Sequence, residues 1–392
     1  MNIKSENQLS FKESFDDENE LVKYGQSIIN FNKNYSEISI LKETNLNSQD
    51  KNILLFLLFD GHNGPEVSKY LSVHFSQFLT ENINFINTNY EKALEETFIN
   101  IDDSLRSSEA QLELSKYSIK KDEKNNFNKN EIFYDFLELF EPRNLEGVNI
   151  AEFCGSSGIV ILITDKKVFV ANIGNSKCVP INNKNEIMKE KINREHMVND
   201  EYEIKRLKDK FGYSINDILN ANTNDKMKDK IKDNFINNLP LATTRGFGDL
   251  QYKESKIMNF GCQYISNKPD IIEISIEELK YLIIGNYGCF NDNDNDISLE
   301  KYFLDKYNKN KEQKLSQIIE DFFEEKNSMK KGNNIIDNNI NNLASFIIEF
   351  KNDNHINIAN NNNFFDEPKE DIQDKEESTN KKNQSEDEED NL

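Results

Sequence analysis

Apolar and polar positions divide this chain into segments of two different periods. Ile53–Phe59, reading ILLFLLF, is apolar throughout, the pattern of a strand covered on both faces. Directly after it, residues 64–83 place Val67, Tyr70, Leu71, Phe75, Phe78 and Leu79 at helical spacing. Tyr90 to about Leu114 repeats that spacing, so two amphipathic helices follow the strand. Gly158–Thr164 and Lys167–Ile173 are apolar runs on either side of Asp165-Lys166, a hairpin pattern, and Cys178–Ile181 adds a third strand. Glu201–Phe211 is helical. Ile271–Ile276 and Leu279–Gly285 are strands, Ile297–Tyr307 and Leu315–Lys326 are helices, and Leu343–Phe350 is a last strand.

The segments between are polar and set the organisation. Residues 1–20 read as a flexible lead and 21–351 as one folded domain, with polar insertions near 115–150 and 214–238. Residues 352–392, ending SEDEEDNL, bury too little apolar surface to fold and read as a disordered acidic tail. Its charge run is a solvated segment or an acidic docking element. Strands joined by hairpins, with helices paired between the groups, predict an α+β fold of antiparallel sheets covered by helices.

Composition narrows the function. The 392 residues carry a formal net charge of −22, and so acidic a surface repels phosphate backbones, which excludes nucleic acid as a partner. The four cysteines, Cys154, Cys178, Cys262 and Cys289, form no CxxC pair, so neither a zinc nor a disulfide framework is indicated and a reducing compartment fits. The N-terminus lacks a signal-peptide core, no apolar run reaches membrane-spanning length, and Asn2 excludes N-myristoylation. A soluble monomer of the cytoplasm or nucleus, without membrane contact, is expected.

Chemistry concentrates at Asp60-Gly61-His62-Asn63-Gly64, where the first apolar run ends. An Asp at a strand end can hold a hard cation, a Gly lets a carbonyl approach as a second oxygen ligand, and a His moves protons near neutral pH. Taken alone, the pentad reads first as an ordinary turn, because Asp-Gly and Asn-Gly are turn dipeptides. Downstream come Gly155-Ser156-Ser157-Gly158, the stretch from Val170 to Lys177, and the stretch from Leu241 to Asp249 containing Arg245. Lys268-Pro269-Asp270-Ile271, the stretch from Leu282 to Asp292, and Asn341-Asn342-Leu343-Ala344 complete the series.

In this order the segments resemble the metal-dependent protein serine/threonine phosphatases, the PPM or type 2C class, over about residues 21–350. Arg194-Glu195-His196 through Gly212 extends the likeness. The resemblance implies a β-sandwich of two antiparallel sheets flanked by helix pairs, in α-β-β-α layers. It also implies two Mg²⁺ or Mn²⁺ ions, whose bridging water attacks phosphorus in line. Carried over by position, Asp60 is the bridging carboxylate, Gly61 the carbonyl ligand and His62 the general acid. Lys33 falls on the phosphate-gripping Arg, and Glu37 on a further metal carboxylate.

Departures from the family pattern gather at the metals. The family's Asp positions hold Asn286, Asn341, Asn175 and Ile38, and Lys33 gives up the bidentate geometry of Arg. An amide oxygen still coordinates but brings no charge. Each lost carboxylate removes an attraction on the order of 4 kcal/mol at about 4 Å and an effective dielectric near 20. Asp292, Asp294 or Asp337 would supply replacements if the local register shifts. Arg245 and Asp249 are expected to hold a loop, His74 and Cys178 to pack, and His196 to be exposed or to cap. His355 falls in the tail. Three functions follow: a pseudophosphatase or strongly impaired phosphatase that binds a phosphoprotein or regulatory protein; an active phosphatase with an atypical Mg²⁺ or Mn²⁺ site; or a scaffold acting through its tail.

Overall fold

A computed structural model describes residues 11–31, 35–44, 46, 53–85, 89–118, 149–211, 242–253, 265–290, 297–307, 309, 311–333 and 342–351. All of them fall within one compact unit spanning residues 1–352.

Two antiparallel sheets pack face to face, the α+β architecture the sequence predicts. One has the order β1 (Phe11–Glu18), β2 (Val22–Asn30), β11 (Asn342–Phe350), β10 (Leu279–Gly285), β7 (Lys177–Asn182). The other runs β3 (Ile38–Thr44), β4 (Leu54–His62), β5 (Gly155–Ile163), β6 (Lys167–Ile173), β9 (Asp270–Ser275), with the short β8 (Phe247–Gly248) also paired to β5.

Alternation along the strands assigns the cores. In β4, Leu54, Phe56 and Leu58 point between the sheets, meeting Ile159 and Ile161 of β5, Leu282 and Ile284 of β10, and Phe346 and Ile348 of β11. Leu55, Leu57 and Phe59 point the other way, onto α1 (Glu66–Phe85), α2 (Tyr90–Ser104) and α3 (Ser108–Tyr117). The opposite outer face of the sandwich buries Ile283 and Ile347 against α6 (Leu299–Tyr307) and α7 (Leu315–Asn333). The continuous apolar run in β4 therefore reflects a strand sandwiched on both sides. Two further helices are α4 (Glu201–Phe211) and the one-turn α5 (Tyr287–Phe290), which follows β10 directly.

Several expectations are corrected. The lead segment 1–20 was expected to be flexible, but Phe11–Glu18 is a strand paired with β2 from Phe11↔Asn30 to Glu18↔Lys23. It reads as polar because it is an edge strand with much of its surface in solvent. Its turn is fixed where Asn19 accepts hydrogen bonds from the N–H groups of Leu21 and Val22, at 2.9 and 2.8 Å. Strands β2 and β3, mixed in polarity, also escaped the apolar-run criterion. The helix expected over 90–114 is two helices, because Ser107 caps a new start by accepting from Ala110 N at 3.1 Å. The DGH segment is no turn: β4 continues through His62, paired with Gly155. The tail, and most of the residues in both expected insertions, lie outside the described residues. Among the described residues no helix is long and apolar enough to cross a membrane.

Candidate active site

Strand register brings the distant motifs to one edge of the sandwich. Asp60 lies opposite Ile38 on β3 and Ser157 on β5, while β10 ends beside the start of β11 and delivers Asn286. A cleft of about 330 Å³ opens there, lined by Glu37, Asp60, Gly61, His62, Asn175 and Asn286 together with Asn342 and Ser157. Met197, Ala242 and Thr243 form one wall and Tyr287 and Gly288 another. A second hollow, of about 430 Å³ between the β5–β6 turn and the start of α2, shares none of these residues.

Of the residues singled out in the sequence, Asp60, Gly61, His62, Glu37 and Asn286 meet in this cleft. Lys33 and Asn341 lie outside the described residues, as do Asp292, Asp294 and Asp337. Asn342, next to Asn341, lines the cleft instead and accepts from Ser36 Oγ at 2.9 Å. Ile38, at a family Asp position, is buried between the sheets.

Gly61 is required by packing. A Cβ there would come within 2.6 Å of the Glu37 carbonyl oxygen, the atom that accepts from Gly61 N at 3.2 Å and from Ser68 Oγ at 2.5 Å. These bonds tie the Glu37 backbone to the end of β4 and the start of α1.

Asp60 keeps some surface open to the cleft, yet burial raises its pKa to about 6, against the opposing effect of the hydrogen bond from Asn286. The neighbouring strand decides how Asn286 is oriented. The backbone N–H of Ala344 must donate to an oxygen, so Oδ1 of Asn286 faces it at 3.2 Å and also accepts from Cys289 Sγ at 3.4 Å. The nitrogen is left to face two acceptors, Asp60 Oδ2 at 3.2 Å and the Asn342 carbonyl at 3.0 Å. Asn286 thus presents a donor, not a lone pair, to Asp60.

His62 points back toward the loop after β8, where Nε2 lies 2.7 Å from Oδ2 of the buried Asp249. Burial alone would lower the imidazole pKa, but the Asp249 carboxylate outweighs it and the pKa is raised. Asp249 adopts a left-handed conformation at φ 50°, and its carboxylate occupies the space where a side chain on Gly155 would stand. The expected loop-holding role of Asp249 therefore includes fixing His62.

Behind the Met197–Thr243 wall is a buried charge network. Arg245 donates to Glu203 Oε1 from Nη2 at 2.6 Å and to Asp270 Oδ1 from Nη1 at 2.9 Å. Glu203 is fully buried; burial would raise its pKa, but Arg245 and Arg206 bring it down to about 2. His196, expected to be exposed or capping, is fully buried. Its Nδ1 accepts from Gly174 N at 3.1 Å, which places the proton on Nε2 facing Asp270 at 3.0 Å. His74 packs its ring on Tyr70, with centroids 4.4 Å apart, and also pairs with Glu113 at 2.8 Å; Cys178 is buried as expected. Glu203 was missed in the sequence, although its spacing to Arg206 offered a helical ion-pair signal.

The donor set among the described residues falls short of a two-metal centre. Among the described residues no three His, Cys, Asp or Glu side chains are grouped to hold an ion, and Asn286 turns its nitrogen to the carboxylate that would bridge the pair.

The family model for protein phosphatase 2C matches residues 24–119 and 113–296. A probable protein phosphatase 2C 6 of Paramecium tetraurelia is 27% identical over 281 residues, covering 71% of this chain and 78% of that protein. A probable protein phosphatase 2C 21 of Oryza sativa subsp. japonica is 26% identical over 279 residues, covering 71% and 72%. Among solved structures, a serine-threonine phosphatase 2C from Toxoplasma gondii superimposes with a TM-score of 0.56 at 12% identity, covering 87% of this chain and 99% of that one. This likeness supports the fold.

Proposed function

This chain belongs to the protein phosphatase 2C family of serine/threonine phosphatases, and from that premise we propose that it is a pseudophosphatase or strongly impaired phosphatase. It acts by binding a phosphoprotein or regulatory protein at the cleft edge. The observation carrying this reading is the Asn286 amide nitrogen 3.2 Å from Asp60. Where a paired carboxylate would help hold cations, the cleft has a neutral donor already hydrogen-bonded to the remaining acid. The described lining also contains no Lys or Arg to grip a phosphate dianion. Mg²⁺ sites ordinarily use one or two carboxylates plus waters, so Glu37 and Asp60 suffice for at most a single, weak ion.

A second reading, an active Mg²⁺- or Mn²⁺-dependent phosphoserine/phosphothreonine phosphatase, is favoured by one observation. Asp60 and His62 stand in the same cleft, with His62 held by Asp249. A phosphopeptide hydrolysis assay in millimolar Mn²⁺ separates the two. The first predicts a rate indistinguishable between the wild type and Asp60→Asn. Metal-dependent turnover abolished by that substitution would establish the second.

A further inference from the structure

We infer that Asn286 replaces a bound cation as the group that holds the cleft together, so that the cleft's structure is independent of metal. The inference rests on the metal-depleted reading above, and adds what took the metal's structural place.

Four elements converge on this one amide. Its backbone N–H donates to the Ala344 carbonyl at 3.2 Å while its side-chain oxygen accepts from Ala344 N at 3.2 Å, a reciprocal pair that docks β10 against β11. The nitrogen reaches across to Asp60 on β4, in the other sheet, and to the Asn342 carbonyl at the start of β11. Cys289 of α5 donates to the same oxygen. The side chain is buried, and every polar atom it carries is engaged. One neutral group thus satisfies a carboxylate, a carbonyl and a backbone N–H at the seam between the sheets.

A carboxylate at 286 could not do this. One oxygen would still accept from Ala344 N, but the other would face the Asp60 carboxylate and the Asn342 carbonyl, both acceptors. Such a site needs a cation or a shared proton to close. The Asn therefore removes the requirement for metal while keeping the contacts.

The test is thermal melting of the full chain in EDTA and in millimolar Mn²⁺, for wild type, Asn286→Asp and Asn286→Ala. The expected result is a wild-type Tm that is the same in both buffers. Asn286→Asp should melt several degrees lower in EDTA and regain stability with Mn²⁺. Asn286→Ala should melt lower in both, without a metal response. The inference is overturned if Mn²⁺ raises the wild-type Tm as much as that of Asn286→Asp, or if Asn286→Asp matches the wild type in EDTA. If Asn286→Asp fails to fold in either buffer, Asn286→Ala decides: lowered stability supports the inference and wild-type stability overturns it. Hydrolysis by a wild type with an unchanged Tm in EDTA would sink the proposed function and leave this inference standing.

Discussion

Replacing Lys253 by Met tests how the loop that holds His62 is itself held. Lys253 Nζ lies 2.7 Å from Asp102 Oδ2 and 2.7 Å from the Gly246 carbonyl, with both charged side chains fully buried. Asp102, on α2, also accepts from Gly248 N at 2.8 Å and Asn267 Nδ2 at 3.0 Å. The pair thus pins the 246–253 segment, which carries Asp249, onto the helix layer. At 2.7 Å and an effective dielectric near 20 the attraction is about 6 kcal/mol. Desolvating two ions offsets several kcal/mol each, so the pair contributes little net, but losing one partner strands the other. Lys253→Met should therefore cost about 3 kcal/mol, the lower end of the usual range of about 3–5, because Gly248 N and Asn267 still solvate Asp102. The double variant Asp102→Leu/Lys253→Met should lose at least about 2 kcal/mol less than the sum of the two singles. Urea unfolding followed by circular dichroism measures all four proteins. Single variants each within about 0.5 kcal/mol of wild type, or strictly additive losses, would refute the reasoning.

Three further outcomes follow from the same geometry. Gly61→Ala drives a Cβ to 2.6 Å from the Glu37 carbonyl oxygen and should cost about 1–3 kcal/mol in urea unfolding, an overpacking effect; a wild-type midpoint would contradict it. Glu203 titrates at about 2 in the fold against an ordinary 4.5; with a lowered folded value, its contribution is complete above about pH 4.5 and is lost as pH falls toward 2. The loss is on the order of 3 kcal/mol, and Glu203→Gln should flatten the acid limb of a stability–pH curve. Cys154, Cys178 and Cys289 are buried, and burial raises each thiol above its ordinary pKa, so a Cys262→Ser variant should show no fast-reacting thiol with a disulfide reagent until denaturant is added.

The sandwich was legible wherever both faces of a strand are covered. The run 53–59 and the 158–173 hairpin stand out because burial on two sides removes polar residues altogether. Strands β1 and β3 were hidden because edge positions mix Lys, Glu and Asp into the pattern, and β2 because it buries polar Ser27 and Asn30 among its apolar residues. At the site, motif order brought Asp60, His62, Glu37 and Asn286 to one cleft. The orientation of the Asn286 amide was not legible, since it depends on an N–H contributed by Ala344 across a strand pair. The partnership of His62 with Asp249, 187 residues apart, and the burial of His196 likewise come from register and loop packing rather than from local sequence.

The most direct test of the central claim is a calorimetric titration of the full chain with Mn²⁺ in the millimolar range at neutral pH. A neutral Asn286 bonded to Asp60 predicts no binding or a single weak ion, and tighter Mn²⁺ binding by the Asn286→Asp variant. Binding of two Mn²⁺ ions by the wild type would contradict it.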